Sequence, residues 1–421
     1  MSSRFYAYLF AFILVITRIC TYLFTPLLLD SIEPTSTVLT NISGPNDSHN
    51  VPFEPSRPAW QNIDPLVQIT ISMGIDSVLF GAMLLVVLVF FPGQITTRER
   101  GFPKRYLVLV GVSQSVSALL YQYSSPGERT APYLQSFLGN FSIPMVFLLR
   151  FLLLKRRPTL RKGLCALAIT TAGMAALIPT MFPQLEDSSS RHREGGASGA
   201  WAIIWPVIYI ISSAPHGISN IALEKSMKYQ SRTTVQNRDN TEEIDVDDDE
   251  EKVERLNIIY TLFFTFTSTF LGTAALFWVD FIPGFGMQKN LSNFLPQVAF
   301  NFRCIFGLSD VCGAVSISLA WCRMATKTTS FVMAALVVRY SEGANFYILI
   351  SAVASPICFT FWTLFDEHPF RWKPEVHLST WLSIVAISIM IPAIVAYERG
   401  PPEIISSRED ESEEDLQPII T

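Results

Sequence analysis

The chain has 421 residues, 49% of them hydrophobic and 16% charged, with a net charge of -5. Its apolar residues gather in long blocks instead of recurring at amphipathic spacing, which excludes an ordinary soluble domain and predicts a polytopic membrane protein in contact with lipid. The acid is concentrated in Glu242 to Glu254 and Arg408 to Asp415, runs that read as solvated segments, and no basic patch with interleaved aromatics offers a surface for nucleic acid.

A crossing helix takes roughly 20 mostly apolar residues. Ten such blocks follow in order, at about 5–29, 63–91, 106–122, 132–154, 162–182, 199–222, 256–280, 313–338, 342–364 and 378–397. The first begins close to Met1, carries Arg18 near its centre and shows no small-residue cleavage site, so it reads as a retained helix and not a signal peptide.

Cations fix the orientation. Arg98, Arg100, Lys104 and Arg105 follow block two, Lys155, Arg156, Arg157, Arg161 and Lys162 follow block four, and Lys225, Lys228, Arg232 and Arg238 follow block six. The opposite loops hold only scattered cations such as Arg57, Arg129 and Lys289, so the positive-inside rule places the N-terminus in the cytosol. The sequons at Asn41, Asn46 and Asn290 then fall on the lumenal side, where glycosylation occurs. Cys304 and Cys312 share a loop on that side, where they form a disulfide or remain two free thiols. Cys20, Cys165, Cys322 and Cys358 lie in apolar blocks and read as packing residues.

Setting Pro144 in NFSIPMVF on Pro356 in AVASPICF brings Phe147 onto Phe359 and Leu153 onto Phe365. Block four thus matches block nine, which predicts two inverted five-helix halves around a central cavity, with a solute site near the midplane. The halves are expected at 1–182 and 199–398, joined by a lumenal loop at 183–198. The second half carries an acidic cytosolic loop at 229–255 and a lumenal cysteine loop at 281–312, and a disordered acidic tail occupies 399–421.

An ionised side chain at mid-bilayer costs about 2.5 to 3.5 kcal/mol, so each one is a site candidate. Arg18, Thr21 and Thr25 share one face of block one, and Gln68, Ser72 and Asp76 form a stripe on block two. Both stripes are expected to line a lumenal vestibule, unless Arg18 and Asp76 simply pair. Ser212, His216 and Asn220 form a third stripe on block six; His216 titrates in the range that separates a vacuole from cytosol, and the alternative is a plain helix contact. Arg323 and Lys327 face the cavity if block eight is continuous and are loop charges if it breaks. Arg150 lies one turn from the Lys155 cluster and is expected to snorkel to the cytosolic interface. Pro144 frees the carbonyl of Asn140, which marks a cavity wall and makes Gln135, Ser142 and Asn140 candidate contacts.

The segments TAPYLQSFLGNFSIPMVFLLRFLLLKRRP, WPVIYIISSAPHGISNIALEKSMK, RLN at 255–257 and FNFRCIFGLSDVC followed by VVRYS together resemble the chloroquine-resistance-transporter family of the drug/metabolite transporter superfamily. The resemblance implies ten helices in two inverted halves and proton-coupled export of small organic solutes, namely amino acids, peptides, drugs or glutathione-like thiols, from a vacuole or lysosome. The cysteine loop is shorter here, with two cysteines in place of four, and Ser113 and Gln114 stand around where members can carry an acid. On this reading the substrate contacts are Arg18, Gln68, Ser72, Gln114, Gln135, Asn140, Ser142, Asn220, Lys327 and Ser355, and Asp76 and His216 carry the coupling protons.

Deep cations outnumber the single Asp76, which favours anionic or zwitterionic solutes. Rival readings are an uncoupled carrier or channel, a nucleotide-sugar-type transporter of the same superfamily, or a non-transporting scaffold. No HExxH, nucleophile elbow or clustered His/Asp set appears, so neither an enzyme nor a metal or cofactor is expected. The tail EEDLQPII sets Asp415 before Ile419 and Ile420, which reads as an adaptor-binding sorting signal or as an acidic tail that merely ends so.

Overall fold

Apolar blocks of this kind become helices because lipid offers the backbone no hydrogen-bond partners, so each segment satisfies its own N–H and C=O groups. The computed structural model describes residues 3–30, 64–95, 102–126, 138–176, 199–227, 256–286, 291–309, 312–341, 343–362 and 378–401, with a few turn residues between them. Along them run α1 (Ser3–Asp30), α2 (Pro65–Phe90), α3 (Arg105–Ser124), α4 (Ser142–Leu154), α5 (Leu160–Ala176), α6 (Trp201–Met227), α7 (Ile258–Ala275), α8 (Leu291–Ile305), α9 (Ala314–Tyr340), α10 (Ala344–Trp362) and α11 (Leu378–Glu398). Two-residue strands add a pairing of Arg156–Arg157 with Ile404–Ile405 and one of Phe365–Asp366 with Arg371–Trp372.

Among the described residues, five stretches of helix are long and apolar enough to cross a membrane, namely Phe5–Phe24, Leu66–Phe90, Trp201–Met227, Ile258–Phe281 and Thr380–Glu398. α4 and α10 are apolar but shorter. Outward faces carry Phe12, Val78, Phe90 and Ile203, each well exposed, a surface suited to lipid and not to water.

Caps set where helices begin. Asp64 precedes Pro65 and its Oδ1 accepts from the N–H groups of Leu66 (2.8 Å) and Val67 (3.2 Å), which starts α2. Asn257 caps α7 in the same manner, accepting from Ile259 N–H at 2.9 Å. α1 packs along α9 and α10, α3 lies between α6 and α7, and α5 packs on α11. The main core joins Ile143, Val146, Val337, Phe346, Leu349, Met390 and Tyr397.

α3 and α7 approach backbone to backbone. A Cβ at Gly111 would stand 2.3 Å from Ser268 Cβ and 2.7 Å from Thr269 N, and one at Gly272 would stand 2.4 Å from Ser115 Oγ. That closeness lets Ser115 Oγ donate to Thr269 O at 2.9 Å, the small-residue contact that lipid-embedded helices use in place of hydrophobic driving force.

Several expectations change. Block eight is one continuous helix, α9, so Arg323 and Lys327 are not loop charges. Pro144 does not interrupt a long helix; it lies in the first turn of α4, where no N–H partner is needed. The Asn140 carbonyl accepts locally from Ile143 N–H at 3.2 Å, so it is not left open toward a cavity. The expected cysteine loop at 281–312 contains α8. Asn41, Asn46, Asn290, the acidic run Glu242 to Glu254 and the tail after Ile405 lie outside the described residues.

Candidate functional site

The stripe Gln68, Ser72 and Asp76 on α2 meets the stripe Arg323, Lys327 and Thr328 on α9. Arg323 Nη1 donates to Gln68 Oε1 at 2.8 Å, and Thr328 Oγ1 donates to Asp76 Oδ1 at 2.6 Å. Lys327 lies within Coulombic reach of both Arg323 and Asp76. These polar bridges span a seam where α2 and α9 otherwise barely touch. A pocket opens in it, lined by Gln68, Ser72, Ala320, Arg323, Lys327 and Ile305 of α8.

Ser72 and Asp76 are buried, and Ser72 Oγ and Asp76 Oδ2 have no hydrogen-bond partner among the described residues. Buried polar atoms left so cost on the order of 1 to 3 kcal/mol each, a cost that water, a proton or a solute in the seam relieves.

A second polar group joins α1, α6 and α10. Arg18 Nη2 donates to the Tyr347 hydroxyl, and its guanidinium lies 5.3 Å from the centre of that ring. His216 of α6 is half-buried and within Coulombic reach of Arg18. Arg18 therefore does not pair with Asp76. Thr21 Oγ1 donates to Thr326 Oγ1 at 3.2 Å, linking α1 to α9. Tyr121 of α3 feels both Arg18 and Arg323, which sets the two groups around one interior.

The other expected contacts are scattered. Asn220 is buried on α6 with its Nδ2 unpartnered among the described residues. Gln114, Ser142 and Ser355 are half-buried on α3, α4 and α10. Gln135 stands apart: its Nε2 donates to the carbonyls of Ser125 (2.5 Å) and Thr130 (2.7 Å) and ties a turn. Asn140 packs against α5, its Nδ2 lying 3.2 Å from where a Cβ on Gly173 would stand.

At the cation-rich end, Arg150 corrects the snorkelling expectation. It is 2% exposed and its Nη2 donates to Glu224 Oε1 at 2.7 Å. Snorkelling is open to a side chain on the lipid face, and Arg150 lies on the face of α4 that packs against α6. Glu224 Oε2 also accepts from Ala344 N–H at 2.9 Å, which binds α4, α6 and the start of α10 together. Gly343, at φ +115°, allows this approach, since a Cβ there would stand 2.3 Å from the Glu224 carboxylate. Glu224 is the residue the sequence reading passed over; its signal is a lone acid near the end of α6 that matches the lone deep cation, Arg150, of α4.

Cys304 and Cys312 are joined, with Cα atoms 5.5 Å apart, tying the end of α8 to the residues that precede α9. Cys20, Cys165, Cys322 and Cys358 are free. Among the described residues no cluster of His, Cys, Asp and Glu is suited to a metal ion.

Residues 65–236 match the sequence profile of the CRT-like family, described as chloroquine-resistance transporter-like. Crt homolog 2 of Dictyostelium discoideum is 29% identical over 143 residues, 34% of this chain and 26% of that protein, so the match spans about a quarter of the relative's length. A solved crystal structure superposes over 93% of this chain and 95% of its own, with 11% identity and a TM-score of 0.41, too low to fix the fold. The profile match and the Dictyostelium relative together support a CRT-like family assignment for this chain.

Proposed function

We propose that this chain is a ten-helix secondary transporter that carries small carboxylate-bearing solutes, as amino acids, short peptides or glutathione-like thiols, out of a vacuolar or lysosomal compartment with protons. The observation that carries the reading is the α2–α9 seam, where Arg323, Lys327 and Asp76 line or flank a pocket inside apolar helices. Arg18 lies across the same interior, and three cations against one carboxylate favour an anionic group on the solute. Asp76, whose Oδ2 has no hydrogen-bond partner among the described residues, is suited to take the coupling proton, whereas the Arg18 guanidinium beside His216 opposes a second positive charge there and makes His216 the weaker candidate.

The packing pattern supports two inverted halves. Exchanging each of the first five blocks with the block five later maps α1 on α9 onto α6 on α3, and α1 on α10 onto α6 on α4. It maps the pairs α2 with α7, α5 with α11 and α4 with α10 onto themselves. The exchange fails at several places, most widely where α3 is packed tightly on α7 while its counterpart seam, α9 against α2, holds the pocket, and where α10 packs closely on α11 while α4 only grazes α5. Alternating access would swap which seam is closed. With the cation-rich end latched by Arg150 and Glu224, the present arrangement faces the lumen.

Uptake into proteoliposomes tests the reading. Glutathione and a dicationic amine are supplied separately; transport of glutathione that weakens at least tenfold in Lys327→Ala supports it, and transport of the dication alone overturns it.

A further inference from the structure

At the end of the bundle opposite the cation-rich loops, two carboxyl groups are buried against each other. Asp64, the residue that caps α2, is 1% exposed, and Asp280, in the 3-10 turn Phe277–Phe281 after α7, is fully buried. Their side chains are within hydrogen-bonding reach. The neighbours are arranged around them: Leu66 and Val67 N–H groups donate to Asp64, and the Tyr123 hydroxyl of α3 donates to Asp280 Oδ1 at 2.6 Å. The cation near this cluster, Arg129, donates to the Tyr123 carbonyl at 2.8 Å and lies 4.3 Å from the centre of a Trp205 ring. Trp205, Phe285 and Tyr123 pack ring to ring over the site.

Two ionised carboxylates are acceptors only, so they cannot bond to one another without a proton between them. Like charges sharing a dry site cannot both ionise cheaply. We propose that Asp64 and Asp280 form a proton-binding carboxyl pair that clamps the start of α2 to the corner after α7, and that the clamp loosens when the proton leaves. The clamp holds α2 on α3 and α7 and away from α9, which keeps the α2–α9 seam parted while the compartment at that end is acidic. This site is separate from Asp76 and His216 and does not depend on what is transported.

Burial and the facing Asp280 raise the Asp64 carboxyl from 3.8 to about 7. A carboxyl with a raised value in the folded state binds a proton there that the unfolded chain releases, so stability falls as pH climbs from about 4 to about 7.

Infrared spectra of the purified full chain, titrated from about pH 5 to about pH 8, read the proton directly. A protonated-carboxyl band should vanish with a midpoint near 7, be lost from Asp64→Asn, a substitution that keeps the cap, and titrate at a lower pH in Asp280→Asn, which removes the facing charge. Tyr123→Phe retains both acids and removes a donor that favours the ionised form, so its midpoint should move upward. Thermal unfolding of the wild type should be lower at the alkaline end, and this pH dependence should shrink in Asp64→Asn. The proposal is overturned if no such band titrates, if Asp64→Asn keeps it, or if Asp280→Asn and Tyr123→Phe both leave its midpoint unmoved. These readouts involve no solute, so a failed transport reading and a failed proton site are told apart.

Discussion

Replacing Glu224 with alanine should be the most damaging single substitution at the cation-rich end, and the structure gives its size. The change leaves the Arg150 guanidinium buried without its 2.7 Å partner, a loss of about 3 to 5 kcal/mol. It also removes the acceptor of Ala344 N–H at 2.9 Å, worth about 1 kcal/mol. Arg150→Met paired with Glu224→Leu removes both charges and replaces them with apolar volume, so the double variant should recover most of the ionic loss and be more stable than Glu224→Ala alone. Reversible unfolding of the full chain in mixed detergent micelles measures this as a double-mutant cycle. If the Arg150→Met and Glu224→Leu losses simply add, the two groups are not coupled and the latch reasoning is wrong.

Gly111→Val should part α3 from α7, because its first methyl-bearing carbon meets Ser268 and the backbone at Thr269; a cost of about 1 to 3 kcal/mol is expected in the same unfolding assay. Cys304→Ser should abolish the mobility difference between reduced and oxidised protein on gels and lower stability by up to about 3 kcal/mol, since the closed loop is short. Gly343→Ala should mimic the loss of the Glu224 cap, through both its φ and the clash with that carboxylate, and lower stability in the same unfolding assay in the wild type and on an Arg150→Met background alike.

How much of this was legible in the sequence differs by scale. Apolar blocks predicted helices because lipid forces each segment to satisfy its own backbone, and a Cys304 to Cys312 link was one of two readings of a shared loop on the side expected to be lumenal; the structure joins them. Stripes at i, i+4 and i+8 located the Gln68–Ser72–Asp76 face. Spacing along one helix does not say which helix faces it, and so the sequence leaves open an Arg18 to Asp76 pair, whereas the partner of Arg18 in the structure is Tyr347 of α10. Arg150 failed for the same reason: its depth was readable, but the acid that holds it lies 74 positions later in sequence. α8 was missed because its apolar residues, Phe300 and Cys304 among them, recur on one face within a polar stretch and never form a block.

The central claim is coupled transport of a carboxylate-bearing solute through the α2–α9 seam. It is tested most directly by following glutathione in proteoliposomes of the full chain with and without an imposed proton gradient, in the wild type and in Asp76→Asn. The account predicts accumulation above equilibrium only with the gradient in the wild type, and mere equilibration in Asp76→Asn. Accumulation in Asp76→Asn equal to the wild type, or wild-type transport that ignores the gradient, would contradict it.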